Sequence, residues 1–192
     1  MDAPRVVRSS RPQAIIVPHA GYLFSGPIAA KAYAQLSPHA KSIKKVLLLG
    51  TAHHVSFRGL AASDASCFET PLGRIPVDIN AVERALSLPQ VRVSDRAHQA
   101  EHSVEVQLPF LQYVLPEGFE IIPLISTNAE AFEVAEVIES CWSDPETLVV
   151  VSSDLSHYHD YDTACKLDRE TSHWIEKLRW EKLQPDRACG FS

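Results

Sequence analysis

Three aliphatic runs in this chain lead straight into histidine: Ile15-Ile16-Val17-Pro18-His19, Leu47-Leu48-Leu49-Gly50-Thr51-Ala52-His53-His54 and Val149-Val150-Val151-Ser152-Ser153-Asp154-Leu155-Ser156-His157. Short apolar runs bounded by turn residues read as strands buried on both faces, the pattern of a parallel sheet covered by helices. They define strands at residues 14–17, 45–49 and 147–152, and residues 58–62 and 120–125 add two more. Between them, residues 26–36, 79–88, 104–115 and 129–141 repeat apolar side chains at three and four, which is helical spacing. Residues 161–183 read as one long helix or two short ones, with Trp174, Ile175, Leu178 and Leu183 as the apolar stripe. The alternation predicts an α/β fold with a mostly parallel central sheet flanked by helices.

A chain of 192 residues fits one domain, and 45% hydrophobic against 22% charged residues is ordinary globular usage. Eighteen Lys and Arg against 24 Asp and Glu leave a net charge of -6, which argues against a nucleic-acid partner held by phosphate contacts. The apolar runs fall far short of the roughly 18 residues a membrane span needs. Arg5, Arg8 and Arg11 are not followed by the apolar core of a signal peptide. The expected location is therefore cytoplasmic. Cys67, Cys141, Cys165 and Cys189 form no Cys-x-x-Cys pair, so neither a zinc ribbon nor a dense disulfide scaffold is suggested.

Ligands of open α/β sheets bind beyond the carboxyl ends of the strands. If the three histidine-bearing strands are parallel neighbours, His19, His53 and His157 converge in one crevice, suited to a metal or to proton transfer. A single histidine after a strand is as often a turn or capping residue; three together weigh against that reading. His54 is the weaker member of its pair as a ligand, because adjacent residues of an extended segment point apart. His39, His98, His159 and His173 read as exposed or capping residues. A second cluster, Glu101-His102-Ser103-Val104-Glu105, opens a helical stretch. There Glu105 shares a face with His102 and can orient it, or the acidic residues serve only the helix dipole. Asp154 can orient a ligand or cap a turn. Cys189 beside two imidazoles makes a reasonable first shell for a divalent transition metal.

These segments resemble the Memo family. The blocks are Val17-Pro18-His19-Ala20-Gly21-Tyr22, Leu49-Gly50-Thr51-Ala52-His53-His54-Val55, Thr70-Pro71-Leu72-Gly73, Glu101 through Phe110, Val151 through Tyr158, and Ala188-Cys189-Gly190. The resemblance implies a fold like the class III extradiol dioxygenases, also described as LigB-like. Prokaryotic members are commonly labelled AmmeMemoRadiSam system protein B, and animal members are linked to cell motility, redox balance and binding of iron or copper. Carried over by motif, the metal ligands are His19, His53 and Cys189, and His157 matches a further pocket histidine placed like an acid–base group. His54, Glu101, His102, Glu105 and Asp154 fall around that pocket. Family members extend further at both ends, so this chain is expected to be incomplete there, with a homo-oligomeric or other partner covering the sheet.

Three functions follow as alternatives. The first is a non-heme iron oxidoreductase, with His157 moving a proton on a small-molecule substrate. The second is a zinc hydrolase, since two histidines and a cysteine also suit catalytic zinc. The third is a metal- or peptide-binding adaptor that reuses the pocket without catalysis. Iron is the expected metal, with copper and zinc as alternatives.

Overall fold

The computed structural model of the chain describes residues 10–142 and 144–189; Arg5, Arg8 and residues 190–192 lie outside them. In chain order the elements are β1 (Ala14–Val17), α1 (Tyr22–Ala34), β2 (Lys45–Thr51), β3 (Gly59–Ala62), β4 (Cys67–Thr70), β5 (Gly73–Pro76), α2 (Ile79–Leu86), β6 (Val91–Val93), α3 (Asp95–Gln99), α4 (His102–Glu105), α5 (Leu108–Val114), β7 (Glu120–Thr127), α6 (Ala131–Cys141), β8 (Thr147–Ser152) and α7 (Tyr161–Glu176). Six strands form one sheet in the order β1-β8-β2-β7-β3-β6, and β4 pairs with β5 as a separate hairpin. All pairs in the large sheet are parallel except β3 with β7. The mixed α/β architecture with a mostly parallel sheet is the one expected.

Val46, Leu47 and Leu48 are fully buried, as a central strand covered on both faces requires, and β2 lies between β8 and β7. Pro123 sits inside β7, also an interior strand, where a missing N–H would normally break a ladder. The backbone N–H of Glu120 donates toward β2, to Lys44 O, so by alternation the nitrogen of Pro123 faces the other side. On that side β3 reaches only from Leu124 to Thr127, so no hydrogen bond is lost.

Two helical expectations change. The stretch at 104–115 is two helices, because Pro109, in the first turn of α5, has no N–H for the carbonyl of Glu105 and its ring would clash with it. The final helix stops at Glu176, and Leu178 takes a left-handed φ of 53° and is 84% exposed, which removes it from the expected apolar stripe. Trp174, Ile175 and Leu183 are half-buried. The β4–β5 hairpin and the three-residue β6 were not expected. The hairpin turn needs Gly73, whose φ of 122° is disfavoured for residues carrying a Cβ. Among the described residues no helix is long and apolar enough to cross a membrane.

Candidate metal centre

β1 and β8 end level, with Val17 opposite Ser152, and β2 runs parallel along the other side of β8. The loops leaving these strands emerge at one sheet edge and carry His19, Asp154 with His157, and His53. Cys189 joins them from the end of the described chain. Its backbone N–H donates to the carbonyl of Asp154 at 3.2 Å. Just before it, the Arg187 guanidinium lies over the Trp174 ring at 4.8 Å and donates to Glu170 at 3.0 Å, which moors the segment to α7. One donor atom from each of His19, His53 and Cys189 lies within 4.8 Å of the others. Cys189 Sγ is 3.5 Å from His19 Nε2, across 170 positions of sequence, and 3.6 Å from His157 Nε2.

The His19 and His53 rings are each aimed by a partner on the other nitrogen. Glu101 is 4% exposed and receives His53 twice: the backbone N–H at Oε2, 2.6 Å, and Nδ1–H at Oε1, 2.9 Å. Glu101 also caps α4 by accepting from the Ser103 N–H at 2.9 Å. The capping and orienting roles thus meet in one carboxylate. His19, 1% exposed, has Nδ1 3.1 Å from Ser152 Oγ. The Ser152 hydroxyl donates its proton to the Ser103 carbonyl, so its oxygen accepts from the ring. Asp154 Oδ1 accepts the backbone N–H groups of His19 at 2.8 Å and Ala20 at 3.2 Å. Nε2 of His19 and of His53 is left for the space beside the thiol, the arrangement typical of metal-ligating histidines.

The electrostatics match this geometry. His53 is pushed up to about 10 by its hydrogen bond with Cys189 and then by the one with Glu101. Burial works to raise the Cys189 thiol, but hydrogen bonds from His19 and His53 overcome it and bring the group down to about 6. Burial likewise opposes ionisation of Glu101, and the His53 side chain and backbone N–H groups outweigh it, to about 2. Between about 6 and about 10 these values pair a thiolate with an imidazolium.

The other pocket residues divide. His102 stacks on His53 with ring centroids 5.0 Å apart, and its Nδ1 is 3.6 Å from Glu101 Oε1. Burial pushes its basicity down, and three neighbouring histidines add to the effect. His53, Glu101 and His102 form a second group able to hold an ion, and Asp154, His157 and Cys189 a third. Glu105 is exposed; the carboxylate beside His102 is Glu101. His54 is exposed and belongs to none of these groups. His157, His159 and His173 are exposed, whereas His39 is half-buried. His98 is half-buried too: its Nε2–H donates to the Ala61 carbonyl at 3.0 Å and the ring packs edge-on to Phe68.

Sequence reasoning missed Ser103, Ser152 and the reason for Gly50. Ser103 Oγ accepts from the Thr51 N–H at 3.1 Å and donates to the Thr51 carbonyl at 2.9 Å, bolting α4 to the end of β2. A Cβ on Gly50 would lie 2.5 Å from that hydroxyl oxygen. A glycine inside an aliphatic strand signals such a close approach; the serines carry no comparable signal.

A family model described as Memo-like protein matches residues 2–186, ending before Cys189. The MEMO1 family protein of Aquifex aeolicus is 36% identical over 177 residues, covering 90% of this chain and 64% of the relative. That of Saccharolobus solfataricus is 35% identical over 176 residues, covering 88% and 61%. The MEMO1 family protein of Thermotoga neapolitana is 37% identical over 194 residues, covering 94% and 68%. The chain therefore spans somewhat under two thirds of the length of the first two relatives and slightly more of the third. With the match running through the histidine-bearing loops and every strand of the sheet, the chain belongs to the Memo family.

Proposed function

We propose that His19 Nε2, His53 Nε2 and Cys189 Sγ hold one divalent transition metal, iron in the first instance, in a dioxygenase-like pocket that serves a redox reaction on a small molecule. The observation that carries this reading is the convergence of three donor atoms within 4.8 Å from three distant segments, two of them imidazoles already hydrogen-bonded through Nδ1. Two nitrogens and a thiolate suit a borderline-soft cation and leave positions open for exogenous ligands. Iron bound there supplies a Lewis acid and a redox centre.

The chain's own residues do the rest. Glu101 and Ser152 fix the ring orientations, and Asp154 anchors the backbone of the loop that carries His19. His157, exposed and beside Cys189, is free to exchange a proton with substrate. His157→Ala is expected to leave metal content within about twofold of wild type while lowering turnover roughly 100-fold or more. Loss of the metal in that variant would make His157 a ligand instead.

Metal binding should release protons, because ligands bind deprotonated. With Cys189 near 6 and His53 near 10, one proton leaves His53 on binding between those values and a second leaves Cys189 below the lower one. The logarithm of the association constant should rise by about one per pH unit from about 6 to about 10 and more steeply below about 6. Competition titration with a chelator across that range measures it, and a flat profile would contradict the assignment.

The function itself is tested by loading the protein with Fe(II) without oxygen, then following dioxygen uptake with catechols and other phenols. Stoichiometric iron with substrate-dependent uptake supports the oxidoreductase. Activity only with zinc, on ester or amide substrates, would favour a hydrolase, and tight peptide binding without turnover would favour an adaptor.

A further inference from the structure

Behind His19 runs a buried chain of hydrogen bonds that ends at Tyr33. Gln107, fully buried in the turn between α4 and α5, makes three of them. Its Oε1 accepts from the Tyr33 hydroxyl at 3.0 Å. Its Nε2 donates to the carbonyl of Pro18 at 3.0 Å and to Ser152 Oγ at 2.8 Å. Tyr33 is 1% exposed and stacks on Phe110 with ring centroids 5.1 Å apart.

The polarity of this chain follows from donor counting. The Pro18 carbonyl can only accept, so the NH2 side of the Gln107 amide must face it, and the carbonyl side is left for Tyr33. The same NH2 reaches Ser152. The Ser103 carbonyl can also only accept, so it takes the single proton of Ser152. Ser152 Oγ then receives one hydrogen from Gln107 and has a lone pair only for a hydrogen on His19 Nδ1. Gln107 therefore grips His19 from two directions, through the backbone carbonyl just before it and through the hydroxyl bonded to its ring.

We propose that Gln107, anchored by Tyr33, is a positioning residue of the centre: it holds the Ser152 oxygen where that oxygen accepts the hydrogen of His19 Nδ1, holds the Pro18 carbonyl, and so presents Nε2 toward Cys189. Its effect on metal affinity rests on the metal-binding reading above, whereas its effect on the ring hydrogen does not. An apolar side chain at 107 would leave the Ser152 oxygen and the Pro18 carbonyl each without its Gln107 donor, so the acceptor facing the ring and the backbone before it would lose their fixed places. Partners of this kind typically change metal affinity by about 10–100-fold.

The test compares wild type with Gln107→Met, which keeps length but removes all three bonds, and with Gln107→Glu, which keeps the shape but loses both N–H donors. Two readouts are taken: nitrogen NMR of the His19 ring in metal-free protein, and Co(II) affinity followed by thiolate-to-metal charge-transfer absorption. In wild type, Nδ1 should carry a hydrogen bonded to Ser152 Oγ. Both variants should weaken the bond from that hydrogen to Ser152, moving the ring nitrogen signals, and should bind Co(II) about 10–100-fold more weakly. Tyr33→Phe, which leaves Gln107 in place, should shift both readouts in the same direction by a smaller amount, and it serves if the Gln107 variants do not fold. A bare Nδ1 in wild type overturns the proposal. So does a folded Gln107 variant, or Tyr33→Phe where no Gln107 variant folds, that leaves the ring nitrogen signals unchanged. Absence of Co(II) binding in wild type would overturn the metal reading while the nitrogen spectra still decide the role of Gln107.

Discussion

Cys189→Ala should weaken Fe(II) binding by more than about a hundredfold, a loss beyond that seen when residues supporting a ligand are replaced. The thiolate is the only sulfur and the only anion in the group formed with His19 and His53. Its removal leaves two imidazoles, a poor holder of iron in water. The fold should survive, since Cys189 is half-buried near the end of the described chain and is not part of the hydrophobic core. The variant should also report on its neighbour: His53 loses the largest cause of its raised basicity and should titrate below its present value of about 10. Anaerobic iron titration and proton NMR of His53 measure the two effects. Retained iron affinity would place the metal elsewhere.

Gly50→Ala should carry the largest cost in stability among single-carbon changes near the site. The added Cβ would sit 2.5 Å from Ser103 Oγ and 2.8 Å from Val104 Cγ2, and neither can retreat, because both are buried on α4 against β2. Overpacking together with disruption of the Ser103–Thr51 bonds should cost about 2–4 kcal/mol. Urea denaturation should show the midpoint lowered with the slope unchanged. Metal affinity should fall as well, because Glu101 and His102 ride on the displaced helix. Wild-type stability in this variant would mean that α4 does not press on β2.

The strand edge of the pocket was legible because aliphatic runs ending in histidine are a local signal, and β1, β2 and β8 need only be parallel neighbours for it to become a site. The helical break at Pro109 was equally visible in principle, since proline cannot continue a helix, but the apolar spacing on either side ran through it. That Glu101 orients His53 was not legible; only a carboxylate for His102 could be offered. Spacing along a helix favours Glu105 for His102, whereas the bond from Glu101 to His53 joins residues 48 apart and depends on how α4 docks. Ser103, Ser152 and Gln107 were invisible for the same reason. Their chemistry lies in who receives each hydrogen, and that is fixed by tertiary contacts with the carbonyls of Pro18, Thr51 and Ser103.

X-ray absorption of the protein loaded with one equivalent of Zn(II) tests the shared centre most directly, because the bond lengths of zinc to sulfur and to nitrogen are distinct. The account predicts one sulfur at about 2.3 Å and at least two imidazole nitrogens at about 2.0–2.1 Å, with the sulfur absent in Cys189→Ala. A shell of nitrogen and oxygen alone in wild type, or two histidine contributions that persist when His19 and His53 are both replaced, would contradict it.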